Sequence, residues 1–211
     1  MAPSAGSSTN IKGPTKQHLL KLDEIKAAAA RQFYTIGYSG TDLRSIASDV
    51  DLHVSSLYTY INGKEELLFL IMLDGISAIT AALNKSCTSS DALENLRFAI
   101  NAHIMHHIER PFLAWISQVE IRSLTGSYLE RIMEMRRDYE QRWLRILADA
   151  EAAGHLAPGS DLKIMMYGVL GLGISVANWY RPEGRIEGVK IAEMLTAQIL
   201  NGLLLRPGSE H

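Results

Sequence analysis

Residues 37–68 read GYSGTDLRSIASDVDLHVSSLYTYINGKEELL. Gly37 stops a preceding helix, because glycine accepts the left-handed backbone that ends helices. Thr41 sits where a side-chain oxygen caps the next helix, and the charge of Asp42 suits its positive end. Leu43, Ile46 and Ala47 give that helix one apolar side. Asp49 to His53 is long enough only for a turn, and Val54 to Tyr60 makes another short helix. Leu52, Leu57 and Ile61 anchor it, which leaves His53, Ser55, Ser56, Thr59 and Tyr60 on the other side. Asn62-Gly63 breaks the chain before Lys64 opens a long apolar helix. Two short helices joined by a tight turn and backed by a third are the architecture of a helix-turn-helix, whose last helix presents hydroxyls and a fixed edge to a DNA groove.

Working outward, Leu19, Leu22, Ile25, Ala29 and Phe33 recur at spacings of three and four, one face of a first helix. Residues 1–14 are rich in Ser, Ala and Gly, lack the apolar run of a secretory signal, and read as a disordered tail. Beyond Lys64 helices are expected near 89–109, 111–123, 125–153, 160–180 and 186–205. Breaks fall at Thr88-Ser89-Ser90, Pro111, Thr125-Gly126, Gly154 with Pro158-Gly159, and Pro182 with Gly184. The expected fold is all-α with about nine helices: the reader over 15–63, and a ligand-binding and dimerisation domain over 64–211. The 211 residues are nearly half apolar, so a substantial core can be buried. Residues 1–64 carry seven basic and five acidic side chains, whereas the remainder carries fourteen and eighteen; the anion-facing end is the N-terminal one. A single cysteine excludes an internal disulfide and suits a reducing, cytoplasmic setting. The uncharged stretch Ile164–Tyr180 is at the short limit for a membrane span, and its glycines fit a buried helix better.

Residues 25–68 resemble the DNA-binding domain of the TetR family. The resemblance rests on Ile25-Lys26-Ala27-Ala28, Phe33, Gly37 through Ala47, Ser56-Leu57-Tyr58-Thr59-Tyr60 and Lys64-Glu65-Glu66-Leu67-Leu68, in order and at the family's spacing. It implies that Thr41 caps the second helix and touches a phosphate, and that Tyr58 and Lys64 hold phosphates on either side of the groove. It also implies that Ser55, Ser56, Thr59 and Tyr60 face bases or backbone. Lys64 stands at the wrong end of its helix for the dipole, which favours a phosphate partner. Packing is the competing role for Tyr58 and Tyr60. The sequence departs from the family at Asp51 in the turn, at His53 where the third helix begins, and at Ile61 near its end. Asp tolerates the left-handed backbone that such a turn requires.

The C-terminal part carries no His-Glu-x-x-His, no Gly-x-Ser-x-Gly and no phosphate loop. Gly168, Gly171 and Gly173 lie inside an apolar helix, where they serve close packing rather than nucleotide binding. His103, His106 and His107 are the one metal-like cluster, but without a neighbouring Cys or a well-placed carboxylate no metal is expected. An apolar cavity between helices is expected instead, lined from His103, His107, Trp115, Arg122, Tyr139, Trp143, Met166 and Trp179; a plain aromatic and methionine core is the alternative for these residues. Two further segments, Phe112 to Leu124 and Asn178-Trp179-Tyr180-Arg181-Pro182-Glu183-Gly184-Arg185, are similar to a TetR subgroup controlling lipid, steroid and fatty-acid catabolism in response to acyl-coenzyme A thioesters. That similarity implies operator DNA and a small apolar acid or acyl-coenzyme A as partners, with no other cofactor. Arg122, Arg136, Arg137, Arg181 and Arg185 are the cations available to such a ligand's phosphates. The last two helices carry apolar residues on more than one face, which implies a homodimer. The rival readings are a helical enzyme acting on acyl thioesters, for which no nucleophile and base are visible, and a helical interaction module without DNA binding.

Overall fold

The structure, a computed structural model, describes residues 15–204; the tail expected over 1–14 lies outside them. Nine α-helices make up the described residues, with a single bridge between Leu156 and Leu204 in place of any strand. Helix α1 (Lys16–Gly40) buries Ile25, Ala28, Ala29 and Phe33, and it breaks at Gly37, where φ is 80°. Leu19 falls on the expected stripe but projects into solvent, because α1 extends beyond the helices it packs on. Helix α2 (Leu43–Asp49) is capped by Asp42, whose carboxylate accepts from the amides of Arg44 and Ser45 at 2.9 and 2.8 Å. Thr41 is therefore not the cap; its hydroxyl donates back to the Gly37 carbonyl at 2.9 Å and closes the break in α1.

Asp51 occupies the left-handed region at φ 55°, as the turn between α2 and α3 requires. Helix α3 is a single turn, Val54–Leu57, prolonged to Ile61 by the tighter bonds of Thr59 to Ser56 and Tyr60 to Leu57. Then follow α4 (Lys64–Ser86), α5 (Ala92–Glu109), α6 (Pro111–Val119), a 3-10 turn at Glu120–Ser123, α7 (Gly126–Ala152), α8 (Leu162–Trp179) and α9 (Gly188–Leu203).

Two hydrophobic cores result. The first joins α1, α2 and α3 to Leu67, Leu68, Ile71 and Met72 of α4, and it takes in Ile116, Leu124 and Ile132 from beyond the reader. The second surrounds α5 with α4, α7, α8 and α9. Helix α5 is buried nearly all round, including its three histidines. Because α4 belongs to both cores, it is the rigid element that joins them. Helices α4 and α8 are each long and apolar enough to cross a membrane. Both instead bury residues in these cores: Leu67, Leu68, Ile71, Met72, Ile79 and Leu83 from α4, and Met166, Val169, Gly173 and Val176 from α8. On the outer side of α8 and α9, Ile164, Tyr167, Leu172, Trp179, Val189 and Met194 are exposed.

Candidate nucleic-acid interface and ligand cavity

The reader surface is built on α3. His53, Ser55, Tyr58 and Thr59 are exposed, Tyr58 by 55%, while Ser56 is half-buried and Leu57 is fixed in the core beneath them. The Thr59 hydroxyl donates to the Ser56 carbonyl at 2.7 Å, which uses its one donor and leaves its oxygen to accept. Tyr60 differs from its neighbours: its ring stacks on His18 of α1 at 4.5 Å between centroids, so it packs the third helix onto the first. Thr41 is only 2% exposed and cannot present its hydroxyl to a phosphate as the resemblance implies. Thr41, Asp42, Leu43, Arg44, Val54, Tyr58 and Lys64 surround one hollow between the starts of α2 and α4. Arg44 is an exposed cation in that wall, and sequence reasoning missed it. The signal was available: Arg44 stands in the first turn of α2, as misplaced against the dipole as Lys64 is on α4.

Lys64 has partners inside the protein. Its ammonium donates to the carbonyls of Tyr38 and Thr41, both at 2.8 Å, and lies 4.3 Å from the centre of the Tyr38 ring. Two of its three N–H groups are thus used, and one remains for the hollow. The amide of Tyr38 donates to the buried carboxylate of Glu120 at 3.0 Å. The break in α1 is therefore held from both sides, by Lys64 on the carbonyls and by Glu120 on the amide. Glu65 extends the tie by accepting from the Thr125 amide and hydroxyl at 2.6 and 2.8 Å. Burial pushes the Tyr38 phenol above its ordinary value, with Glu65 and Glu120 adding to the shift.

A cavity of about 340 Å³ lies among α4, α5, α6, α7 and α8. Met72, Ile76, Ile79, Leu113, Leu170 and Ile174 make its apolar walls; His103, His106, His107, Ser117, Arg136, Tyr139 and Glu140 supply polar atoms. His103 is fully assigned by its partners. Its Nε2 lies 3.2 Å from the Leu170 carbonyl, which can only accept, so Nε2 carries the proton and Nδ1 accepts from the Tyr139 hydroxyl at 2.9 Å. This neutral tautomer fits its depressed pKa of about 4, which burial causes against a smaller opposing pull from the Leu170 carbonyl. Burial likewise lowers His106 to about 4 and His107 to about 2, with Arg110 and His103 adding to the first shift and proximity to His103 and His106 to the second. Gly173 makes room for the arrangement: a Cβ there would stand 2.3 Å from His103 Cδ2. Arg136 is the arginine in the cavity wall; it donates to the Ser117 carbonyl, and burial lowers its pKa against the pull of Glu140.

Of the eight residues expected to line a cavity, His103, His107 and Tyr139 do so. Trp143 lies one layer behind, wholly buried, with its indole edge against His103 at 5.9 Å. Met166 is wholly buried in the second core, away from the lining. Trp115 packs edge-on against Tyr34 at 5.5 Å, where α6 meets α1. Arg122 points to solvent, because the 3-10 turn that sends Glu120 inward sends Arg122 outward. Trp179 is 51% exposed on the outer face of α8. Arg136, one of the cations the sequence offers to a ligand's phosphates, is in the wall, whereas His106, read only as part of the histidine cluster, and Glu140 were not expected there.

Residues 25–71 match the family described as bacterial regulatory proteins, tetR family, and residues 89–203 match the tetracyclin repressor-like C-terminal domain. The chain belongs to the TetR family. It is a DNA-binding transcription regulator. This TetR-family chain is 23% identical over 193 residues to the HTH-type transcriptional repressor KstR2 of Mycolicibacterium smegmatis, covering 90% of itself and 94% of that protein. Its structure is similar to that of a tetR-family regulatory protein from Rhodococcus RHA1, with a TM-score of 0.81 and 26% identity over 90% of this chain and 98% of that one. It is also similar to AibR in complex with isovaleryl coenzyme A and operator DNA, with a TM-score of 0.75 and 25% identity over 84% and 97% of the two chains.

Proposed function

We propose that this TetR-family regulator is a two-fold dimer that represses from an operator in the cytoplasm and is released by an apolar acid or its coenzyme A thioester. The observation that carries the reading is the continuity of the cavity with the reader. Helix α6 contributes Leu113, Ala114 and Ser117 to the cavity wall and runs directly into Glu120, which holds the Tyr38 amide. Helix α4 contributes Met72, Gly75, Ile76 and Ile79 and begins with Lys64, which holds the Tyr38 carbonyl. A molecule that spreads α4 from α6 therefore acts on both backbone groups of one residue, Tyr38. The cavity holds roughly eleven waters' worth of liquid. That suits an acyl group or ring inside, with a coenzyme reaching out past Arg136. Names of relatives that pair operator DNA with isovaleryl coenzyme A, or that specify a repressor, support the same reading.

The dimer rests on the outer face of α8 and α9, where six large apolar side chains stand exposed. Gly168 has nothing within 4 Å of where a Cβ would be, which leaves room for a partner's backbone. A dimer through this face would set two α3 readers on successive major grooves. Binding, not turnover, is the role assigned to the cavity: His103 is fixed in one tautomer, with one nitrogen engaged by the Tyr139 hydroxyl and the other by the Leu170 carbonyl.

The test is an operator titration by fluorescence anisotropy. The duplex is selected by the protein from a random library and titrated with and without a series of acyl-coenzyme A thioesters and their free acids. Release by one class at micromolar concentration is the expected result. Operator binding indifferent to every member would refute the effector class.

A further inference from the structure

Among the described residues, His107 is the one cavity-lining side chain with two buried nitrogens and no partner for either. It is 5% exposed. Its neighbours are rings rather than hydrogen-bond partners: His103 stands edge-on at 4.6 Å and His106 at 5.4 Å. A buried imidazole left unpaired costs free energy, and the large majority of buried polar side-chain atoms do have partners. The contrast with His103 is sharp, since one helical turn away both nitrogens are engaged. A leucine at 107 would suit the surrounding Ile79, Leu170 and Ile174 better if the position served packing alone.

We propose that His107 is a specificity residue of this cavity, and that the effector presents to it an uncharged oxygen, a hydroxyl or a ketone. The inference rests on the reading of the cavity as the effector site. A neutral imidazole offers one N–H donor and one acceptor, which matches a hydroxyl in both senses and a ketone in one. A carboxylate fits poorly there. It accepts one N–H from a neutral imidazole and leaves the ring's other, acceptor nitrogen unpaired, and in the ligand-free protein burial together with His103 and His106 favours the neutral ring. The place for an anionic end is Arg136, a cation in the same wall. The effector is thereby described as a molecule with two polar ends, an acid or thioester toward Arg136 and a neutral oxygen toward His107. A plain alkyl chain would leave the imidazole unpaired and bind more weakly for it.

The probes are cyclohexanol and methylcyclohexane, which share a ring and differ by hydroxyl against methyl. Their affinities for the full chain and for His107→Leu are measured by NMR with ¹⁵N-labelled histidine. Cyclohexanol is expected to shift both His107 nitrogens and to bind about five- to ten-fold more weakly to His107→Leu. Methylcyclohexane is expected to bind the variant as well or better. Ligand-free His107→Leu is expected to melt about 2–4 °C or more above the wild type, because two unpaired polar atoms are removed. Equal losses for the two probes, no binding of either, or a less stable variant would each overturn the proposal. The acyl-coenzyme A titration of the operator is run beside it. If cyclohexanol depends on His107 but no acyl thioester or acid releases the operator, the effector class fails while the hydroxyl site stands.

Discussion

Gly173→Ala tests whether the cavity wall is built as tightly as the geometry implies. The added Cβ would lie 2.3 Å from His103 Cδ2 and 2.7 Å from Nε2, the first more than 1 Å inside an ordinary carbon contact of about 3.5 Å. The ring cannot yield freely, because Tyr139 holds one nitrogen and the Leu170 carbonyl holds the other. Overpacking of this kind costs about 1–3 kcal/mol, and losing the bond to Leu170 adds about 1 kcal/mol. Set against that is a gain of roughly 0.8–1 kcal/mol in helix propensity, since α8 exchanges a mid-helix glycine for alanine. The net is a destabilisation of about 1–3 kcal/mol, or roughly 2–12 °C in Tm for a chain of this size. The assay is thermal unfolding by circular dichroism at pH 7.5. Gly168→Ala on the same helix is the control: its Cβ meets nothing within the protomer, so that variant keeps its folding and weakens only the dimer. A Gly173→Ala protein as stable as the wild type would refute the assigned seat of His103.

Three further outcomes are expected. Glu120→Ala leaves the Tyr38 amide unpartnered at a cost of about 1.5–3 kcal/mol; it should blunt effector release more than operator binding, whereas Glu120→Gln, which keeps an acceptor, should retain most of the response. Wild-type release in Glu120→Ala would remove this residue from the coupling. Lys64→Ala should weaken binding to every DNA sequence and flatten the salt dependence by about one ion. It should also lower Tm, since two carbonyls lose their donor; an unchanged salt slope would confine Lys64 to the hinge. Stability should fall as pH drops from about 6.5 toward 4. His103 and His106 are depressed to about 4, so in that window the unfolded chain binds protons that the folded chain refuses. Each contributes roughly 3 kcal/mol at most, fully present above pH 6.5. Urea unfolding at pH 7.5 and 5 reads it, and His103→Gln should lessen the slope; an identical slope in that variant would contradict the buried neutral tautomer.

Periodicity and breakers made the helices legible, since glycine, proline and polar runs interrupt 3.6-residue patterns whose meaning does not depend on distant partners. Asp51 shows the strength of that local reading: the turn required a left-handed residue, and Asp51 adopts it. The site was less legible because it depends on how helices rotate against each other. Thr41 and Asp42 are both good caps, and only the path of the chain at Gly37 decides between them. Trp115, Arg122 and Trp179 have the chemistry of ligand contacts, yet α6 turns one toward α1 and the others meet solvent. His106 reads only as part of the histidine cluster, because the sequence does not show that α5 packs between helices and buries His106 along with His103 and His107. The partners of Lys64 were invisible for a different reason: they are backbone carbonyls 23 and 26 residues away.

The central claim is that the cavity and the reader are two sites on one switch. Linkage then requires that an effector and the operator weaken each other's binding by the same factor. The most direct measurement is the full thermodynamic cycle. Operator affinity is measured with and without a saturating effector by anisotropy, and affinity for that effector is measured with and without saturating operator by calorimetry. The account predicts equal factors, about 5- to 150-fold, both reduced together in Glu120→Ala. An effector that fills the cavity with the same affinity whether or not operator is bound would contradict it.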